Sequence, residues 1–215
     1  MLFRSPARQD ASVGIEQASV ATSQEQLERR CAFVLERFGP PALVEQFVPG
    51  REFHVHLIED VSGGGELRPA WLLHVAEVLF LEQAPGYWPI YSYDAKWTEA
   101  SPEWEATPLQ SPVVLPAEQM ARLAELARGA YYLVGCRDYG RLDLRMTPDG
   151  DFTILEVNPN PNLSSKLIGL ALEEHSRTYA DLVVSLVRNA RARAPEPPAP
   201  RAGRKKRTKQ RSSDR

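Results

Sequence analysis

Gly140-Arg-Leu-Asp-Leu-Arg-Met146, Thr147-Pro-Asp-Gly150 and Asp151-Phe-Thr-Ile-Leu-Glu-Val-Asn158 form one continuous stretch whose reading decides the fold. The middle piece has Pro and Asp early and Gly last, a turn signature, so the flanking pieces read as the strands of a β-hairpin. Alternation places Leu142, Leu144 and Met146 on one face. Thr153, Leu155 and Val157 are expected to meet them there, because a one-residue slip inverts every side chain. Pairing Met146 with Asp151 sets Arg141 opposite Glu156 and Asp143 opposite Ile154. Asp143 and Glu156 are then diagonal neighbours on the other face, with Asn158 one step beyond. Two carboxylates that close repel and raise one pKa unless a cation lies between them. A hard divalent ion suits Asp, Glu and an Asn oxygen, and Mg²⁺ commonly takes one or two carboxylates plus substrate phosphates. The alternative is a solvated hairpin face with an exposed Arg141–Glu156 pair, worth about 0–1 kcal/mol.

Outward from the hairpin, the helical spacing of Met120, Leu123, Leu126, Ala127, Ala130 and Tyr131 predicts an amphipathic helix from Pro116 to Leu133, stopped by Gly135. On the other side, Asn158-Pro-Asn-Pro-Asn162 is a turn-rich loop. Two helices follow, about 165–174 and 178–193, the second with Thr178 as N-cap and a buried stripe of Leu182, Val183, Leu186 and Val187. Residues 84–114 hold five prolines and six Tyr or Trp residues, too much proline for helix and too much aromatic surface for a disordered linker. A segment of this kind is either a functional lid or a loop packed down by its own aromatics.

Nearer the start, Ala42–Val48, the Pro49-Gly50 turn and Arg51–Ile58 read as a second hairpin. There Phe53, Val55 and Leu57 alternate with Glu52, His54 and His56. The two histidines share a face but show no third metal ligand, so exposed strand histidines are the simpler reading. Ser62-Gly-Gly-Gly65 reads as a flexible turn and Leu67–Leu81 as a further strand region. Ser23-Gln-Glu-Gln26 is a capping-box start for a helix carrying Leu27, Cys31, Val34, Leu35 and Phe38, ended by Gly39. Before it, Leu2-Phe3 ends a strand. Ser5–Ile15 is then either a loop whose small residues let backbone close over a phosphate or a plain surface turn.

The 215 residues are 43% hydrophobic, enough for a real core. Their net charge of −2 hides an asymmetry: eleven of the 26 Lys and Arg lie from Arg188 onward, against only Glu196 and Asp214. The body is acidic and the tail basic. From Ala194 the chain is rich in Pro, Ala, Arg and Lys without periodicity, so residues 194–215 are expected to be disordered. That tail either makes weak, salt-sensitive contacts with nucleic acid or solubilises the chain. No apolar run approaches the ~18–20 residues of a membrane span, and the start lacks a signal peptide's apolar stretch. Cys31 and Cys136 fit no redox or metal motif, and a cytoplasmic location is the simplest expectation.

Five motifs then agree in order with one family: Ala11-Ser-Val-Gly14, Leu43-Val-Glu45 with Gly50-Arg-Glu52, Tyr93-Asp-Ala-Lys-Trp97, Gly140-Arg-Leu-Asp143 and Leu155-Glu-Val-Asn158. The chain resembles the central and C-terminal parts of the ATP-grasp superfamily, in its D-alanine–D-alanine ligase-like branch. The resemblance implies an α+β fold of two subdomains with antiparallel sheets gripping ATP. It divides residues 1–193 into a small central remnant (about 1–50) and a C-terminal subdomain (about 51–193). The family's N-terminal domain is missing from this stretch.

The roles implied are specific. Asp143, Glu156 and Asn158 would hold Mg²⁺ (Mn²⁺ as an alternative) bridging ATP phosphates. Lys96 would neutralise phosphate oxygens, and Ser12, Val13 and Gly14 would cover them as a mobile loop. Glu45, Gln46, Phe47 and Val48 would line the adenine, and Glu52 would accept from the ribose hydroxyls. Arg141, with Lys96, would serve the chemistry by facing an acyl phosphate. The activity implied is ATP-dependent carboxylate–amine ligation on an undefined substrate pair. A non-catalytic nucleotide-binding chain is the alternative, because Ser5 stands where the family carries a phosphate-binding lysine before proline. Either a second copy of the chain or a separate N-terminal domain would complete the cleft.

Overall fold

The computed structural model describes residues 1–60, 68–81, 86–163 and 165–194, without the side chains of residues 4 and 165–167. The expected Ser62–Gly65 turn and the basic tail beyond Ala194 lie outside the described residues. Two antiparallel sheets are present. The first has the order β2-β1-β3, from β1 (Leu2–Pro6), β2 (Val20–Ala21) and β3 (Ala42–Gln46). The second runs β6-β5-β4-β7-β8, from β4 (Arg51–Ile58), β5 (Trp71–Val78), β6 (Leu109–Gln110), β7 (Tyr139–Met146) and β8 (Phe152–Asn158).

β3 and β4 therefore do not form the hairpin expected from Pro49-Gly50. β3 pairs with β1, while β4 pairs with β5 and β7, so the turn signal marks the crossing between sheets. The local signal was real, but its pairing partners are far away in sequence. Gly50 has φ +123°, and a Cβ there would lie 2.1 Å from the Met146 carbonyl oxygen. Only glycine lets the backbone pass so close at that dihedral.

Helix α1 (Gln24–Phe38) covers the first sheet. Its N-cap Ser23 accepts from the Gln26 N–H, while the Gln26 side chain reaches back to the Thr22 N–H at 2.8 Å instead of the cap residue's own. The buried face carries Val34 and, unexpectedly, Arg30, whereas Leu35 is exposed. Arg30 is buried because it has work there: it bonds the Gly14 carbonyl at 2.8 Å, the Ser19 hydroxyl at 3.1 Å and the Glu16 carboxylate. Those three fix the loop that precedes a single 3₁₀ turn at Gln17–Ser19.

The proline-rich segment contains two short helices after all, α2 (Tyr93–Trp97) and α3 (Pro102–Ala106). Each has a serine N-cap, and Pro102 sits in the first turn, where its missing N–H costs nothing. Helix α4 (Ala117–Leu133) buries Leu123, Ala127 and Tyr131 against Phe53, Val55, Leu57, Leu142 and Leu144. Each Leu, Val or Phe among them is worth about 1.5–3 kcal/mol when taken from water. Leu126, expected inward, stays partly exposed.

Helix α5 (Ser165–Glu174) and α6 (Tyr179–Arg193) close the far end of the second sheet through Ile58, Leu73, Ile168, Leu172 and Leu182. Thr178 and Asp181 form a capping box, as the N-cap reading required in part. The buried stripe differs from expectation. It runs through Leu182, Ser185 and Asn189, while Val183 and Val187 are exposed. Polar anchors shift it: Asn189 donates to the Glu59 carbonyl, Arg177 grips Asp60, and Arg193 grips Asp138 with two bonds. Among the described residues no helix is long and apolar enough to cross a membrane.

Candidate active site

The site is built on one face of β4 and β7, and its register explains the placement. Glu52 pairs with Arg145, His54 with Asp143 and His56 with Arg141. Leu142, Leu144 and Met146 turn the other way, into the core under α4. Alternation in β7 is therefore as expected. Strand β8 departs from it. Met146 pairs with Phe152 instead of Asp151, and the ladder skips from Leu144–Ile154 to Asp143–Glu156. Leu155 is the extra residue of a β-bulge.

The consequences are exact in their direction. Phe152, Ile154 and Val157 pack against the core, whereas Thr153 and Leu155, expected there, are exposed. Asp143 and Glu156 become direct cross-strand partners instead of diagonal ones, and Arg141 faces Asn158 instead of Glu156. An unbroken ladder cannot put three apolar residues inward and two ligand types outward in this sequence, and the bulge reconciles them.

Arg141 donates to both oxygens of Asp143, at 2.6 and 2.8 Å, and lies 3.7 Å from Glu156. Asp143 is buried and Glu156 is 53% exposed. Burial, a hydrogen bond that only the protonated Glu156 can donate to the Asp143 carboxylate, and the Asp143 charge push the Glu156 carboxyl above its ordinary value. Asn158 donates to Glu156 Oε1 at 2.8 Å through its nitrogen, so its oxygen is the atom turned to other partners. Neighbouring carboxylates, one of them resisting ionisation, with an amide oxygen alongside fit a hard cation with oxygen donors. Among the described residues no three His, Cys, Asp or Glu cluster as a metal site. Any ion here would rely on a ligand's oxygens as well.

The histidines are not the exposed pair expected. Both are buried, because β4 is the middle strand, Tyr91 lies against His54 and His74 lies beside His56. The His54 ring packs at a tilt of 45° against Tyr91 with centroids 5.5 Å apart and lies 3.8 Å from Asp143. Burial above all lowers both imidazoles, with Arg141 and Lys96 adding to it at His54, and the His54 ring and Arg141 at His56, which falls to about 3, so they are neutral.

A cleft of about 360 Å³ runs between the two sheets. Among the expected site residues it is lined by Ser12, Val13, Glu45, Gln46, Phe47, Val48, Glu52, Lys96, Asp143 and Glu156. Gly14, Arg141 and Asn158 lie outside the lining. Gly14 (φ +75°) serves the turn, and a Cβ there would meet Phe38 and Pro6 at 2.8 Å. Lys96 projects from α2 with its ammonium 4.7 Å from the centre of the Tyr91 ring. Burial lowers its pKa, and Asp143 opposes that effect.

The Ser12 loop is tied down. The Ser12 hydroxyl donates to the Tyr91 carbonyl at 2.9 Å, Trp97 Nε1 to the Ala11 carbonyl at 2.8 Å, and the Tyr93 N–H to the Ile15 carbonyl at 2.9 Å. Ala11 and Ser12 both hold positive φ, of 53° and 61°. Such strain in non-glycine residues persists only where surrounding contacts over-determine it. The expected phosphate loop and the proline-rich segment thus form one roof, joined by a small core of Val20, Phe47 and Ile90.

One important residue escaped the sequence reading. Arg145 is 4% exposed and donates twice to Glu52 Oε2, at 3.0 and 2.8 Å. It also donates to the Val48 carbonyl at 2.6 Å and the Pro89 carbonyl at 2.5 Å, with Phe47 and Phe80 flanking its guanidinium. Its signal was its parity: it lies two residues from Asp143 and so shares the site face. Glu52 accordingly faces the cleft as half of a buried ion pair. Its carboxyl is nonetheless raised, because burial outweighs the arginine.

Residues 2–188 match the family described as "D-ala D-ala ligase C-terminus". The chain is 28% identical over 192 residues to D-alanine–D-alanine ligase A of Mesorhizobium japonicum, covering 89% of this chain and 49% of that one. It is 30% identical over 186 residues to a D-alanine–D-alanine ligase of Marinomonas sp., covering 86% and 51%. In three dimensions it aligns with the D-alanine–D-alanine ligase of Bacillus anthracis complexed with ATP, with a TM-score of 0.60 and 18% identity over 88% of this chain and 52% of that one. The α+β ATP-grasp fold expected from the motifs is the fold observed. The chain spans about half the length of the relatives it matches. It belongs to the family of D-alanine–D-alanine ligase C-terminal domains.

Proposed function

We propose that the chain binds Mg·ATP in the cleft between its sheets and forms the nucleotide-activating part of an ATP-dependent carboxylate–amine ligase. The observation that carries this is the convergence of Glu52, Lys96, Asp143 and Glu156 on one cleft walled by residues 45–48, the end of β3 and the start of the linker. The adenine would lie along Glu45–Val48, with Phe47 and Leu155 supplying apolar surface. The triphosphate would run toward Lys96 and the two carboxylates. A divalent ion, Mg²⁺ or Mn²⁺, held by Asp143, Glu156 and the Asn158 oxygen, would supply charge neutralisation on the phosphates. Lys96 and Arg141 would offset negative charge where a substrate carboxylate attacks the γ-phosphate and ADP leaves. An amine then displaces phosphate from the acyl phosphate. Such chemistry asks a protein mainly for positioning and charge, which fits a cleft lined by Lys96, Asp143 and Glu156.

Differential scanning fluorimetry with Mg·ATP tests the binding. At a hundred times Kd the ligand should add about 2.7 kcal/mol, or about 5–10 °C in Tm. Asp143→Asn with Glu156→Gln should abolish the Mg-dependent part. No shift in the wild-type chain, together with no effect of the double variant, would sink the reading.

A second reading keeps nucleotide binding without turnover. Ser5 and Pro6 line the cleft, so the position where the family carries lysine is present but lacks an ammonium. Steady ADP release in the presence of paired carboxylate and amine substrates would eliminate it.

A further inference from the structure

Arg145 is placed where three parts of the cleft meet. Glu52 comes from the start of β4, Val48 from the linker between sheets, and Pro89 from the roof. One guanidinium bonds all three, and Nε, Nη1 and Nη2 each take part. Arg145 also lines the cleft itself. Both bonds to Glu52 fall on Oε2, so Oε1 is the oxygen left for a hydroxyl group. An aliphatic side chain here would release the roof and linker carbonyls and let the Glu52 side chain rotate. A lysine could satisfy one or two of these acceptors but not the planar fork.

We propose that Arg145 is a positioning residue: it fixes Glu52, the linker and the roof in the one arrangement that lets Glu52 read the vicinal diol of a nucleotide's ribose. This rests on the nucleotide reading above and adds to it. The diol preference is set by an arginine that acts through its bonds to Glu52 and Val48, and the roof is coupled to it through Pro89. A brace with no such role would change stability and leave the preference intact.

The test is calorimetric titration of the purified chain with Mg·ADP and with Mg·2′,3′-dideoxy-ADP, for wild type, Glu52→Gln, Arg145→Lys and Arg145→Met. Hydroxyl bonds to a charged acceptor predict about tenfold or more preference for ADP in the wild type. Glu52→Gln should reduce the ratio strongly. Arg145→Met should reduce it as far although Glu52 is intact, with Arg145→Lys between. A folded Arg145→Met that keeps the wild-type ratio overturns the proposal. So does a wild type that binds both nucleotides equally, which would leave nucleotide binding standing. A wild type that binds neither removes the proposed function and this inference together. Should Arg145→Met not fold, the assigned Arg145 Nε–H resonance of the wild type is followed instead. ADP should shift it and the dideoxy nucleotide should not; equal shifts overturn the proposal.

Discussion

The site face of β7 carries the same pairing twice, an arginine gripping a carboxylate across or along the strand, in two different settings. At one end Arg145 holds Glu52, with side-chain exposures of 4% and 7%. At the other Arg141 holds Asp143 and reaches Glu156, with exposures of 19%, 6% and 53%. The inner pair is enclosed by Phe47, Phe80 and two backbone carbonyls, and its donors are committed to protein. The outer group sets Arg141 among two carboxylates, with Lys96 acting on both, and opens to the cleft and solvent. An ion pair in a closed setting holds structure, because removing one partner strands a buried charge. In an open setting the same chemistry is exchangeable, and a stronger cation can compete for the carboxylates.

The largest expected effect comes from breaking the inner pair. Arg145→Met should destabilise the chain by about 3–5 kcal/mol, lowering Tm by roughly 10 °C. Thermal denaturation without ligand measures this, and a loss under about 1 kcal/mol would show that the inner pair is no more structural than the outer one.

A smaller effect separates the outer group by pH. The folded-state pKa of Glu156 is raised, so ionising it is harder in the folded chain than in the unfolded one. Its contribution to stability is full below the unfolded value of ~4.5 and is lost as pH rises through the higher folded value. The wild type should therefore lose relative stability over that window, and Glu156→Gln should flatten the loss in ligand-free urea titrations. Divalent ion binding should weaken on acidification through the same window. Identical pH profiles for the two proteins would mean that Glu156 is relaxed beside Asp143.

The smallest effect is a control. Thr178→Ala removes the N-cap of α6, far from both pairs, and should cost about 1 kcal/mol in chemical denaturation. Mg·ADP affinity should be unchanged, and a change would show that the far helices couple to the cleft.

Much of the fold was legible because its signals are local. The α4 pattern, the Ser23 and Thr178 caps, the Thr147–Gly150 turn and the parity of β7 each follow from a few neighbouring residues. Long-range partners were not. Pro49-Gly50 looks the same whether the next strand returns to its predecessor or joins another sheet. Arg30 and Arg145 carry no local sign of burial, because the carbonyls that satisfy them come from distant segments. The site's membership was visible as motifs, but its geometry was not, since one bulge decides which carboxylates face each other.

That bulge divides β8 into two half-strands of opposite phase. The outer half turns Phe152 and Ile154 to the hydrophobic interior, and the inner half turns Val157 there and Glu156 to the cleft. Leu155 is the splice between them. With it gone, a regular ladder would still leave every remaining side chain on its present face. The register therefore does not require this residue. Its place at the cleft wall does, so the identity of residue 155 is open to selection by whatever lies against that wall, independently of the strand that carries it.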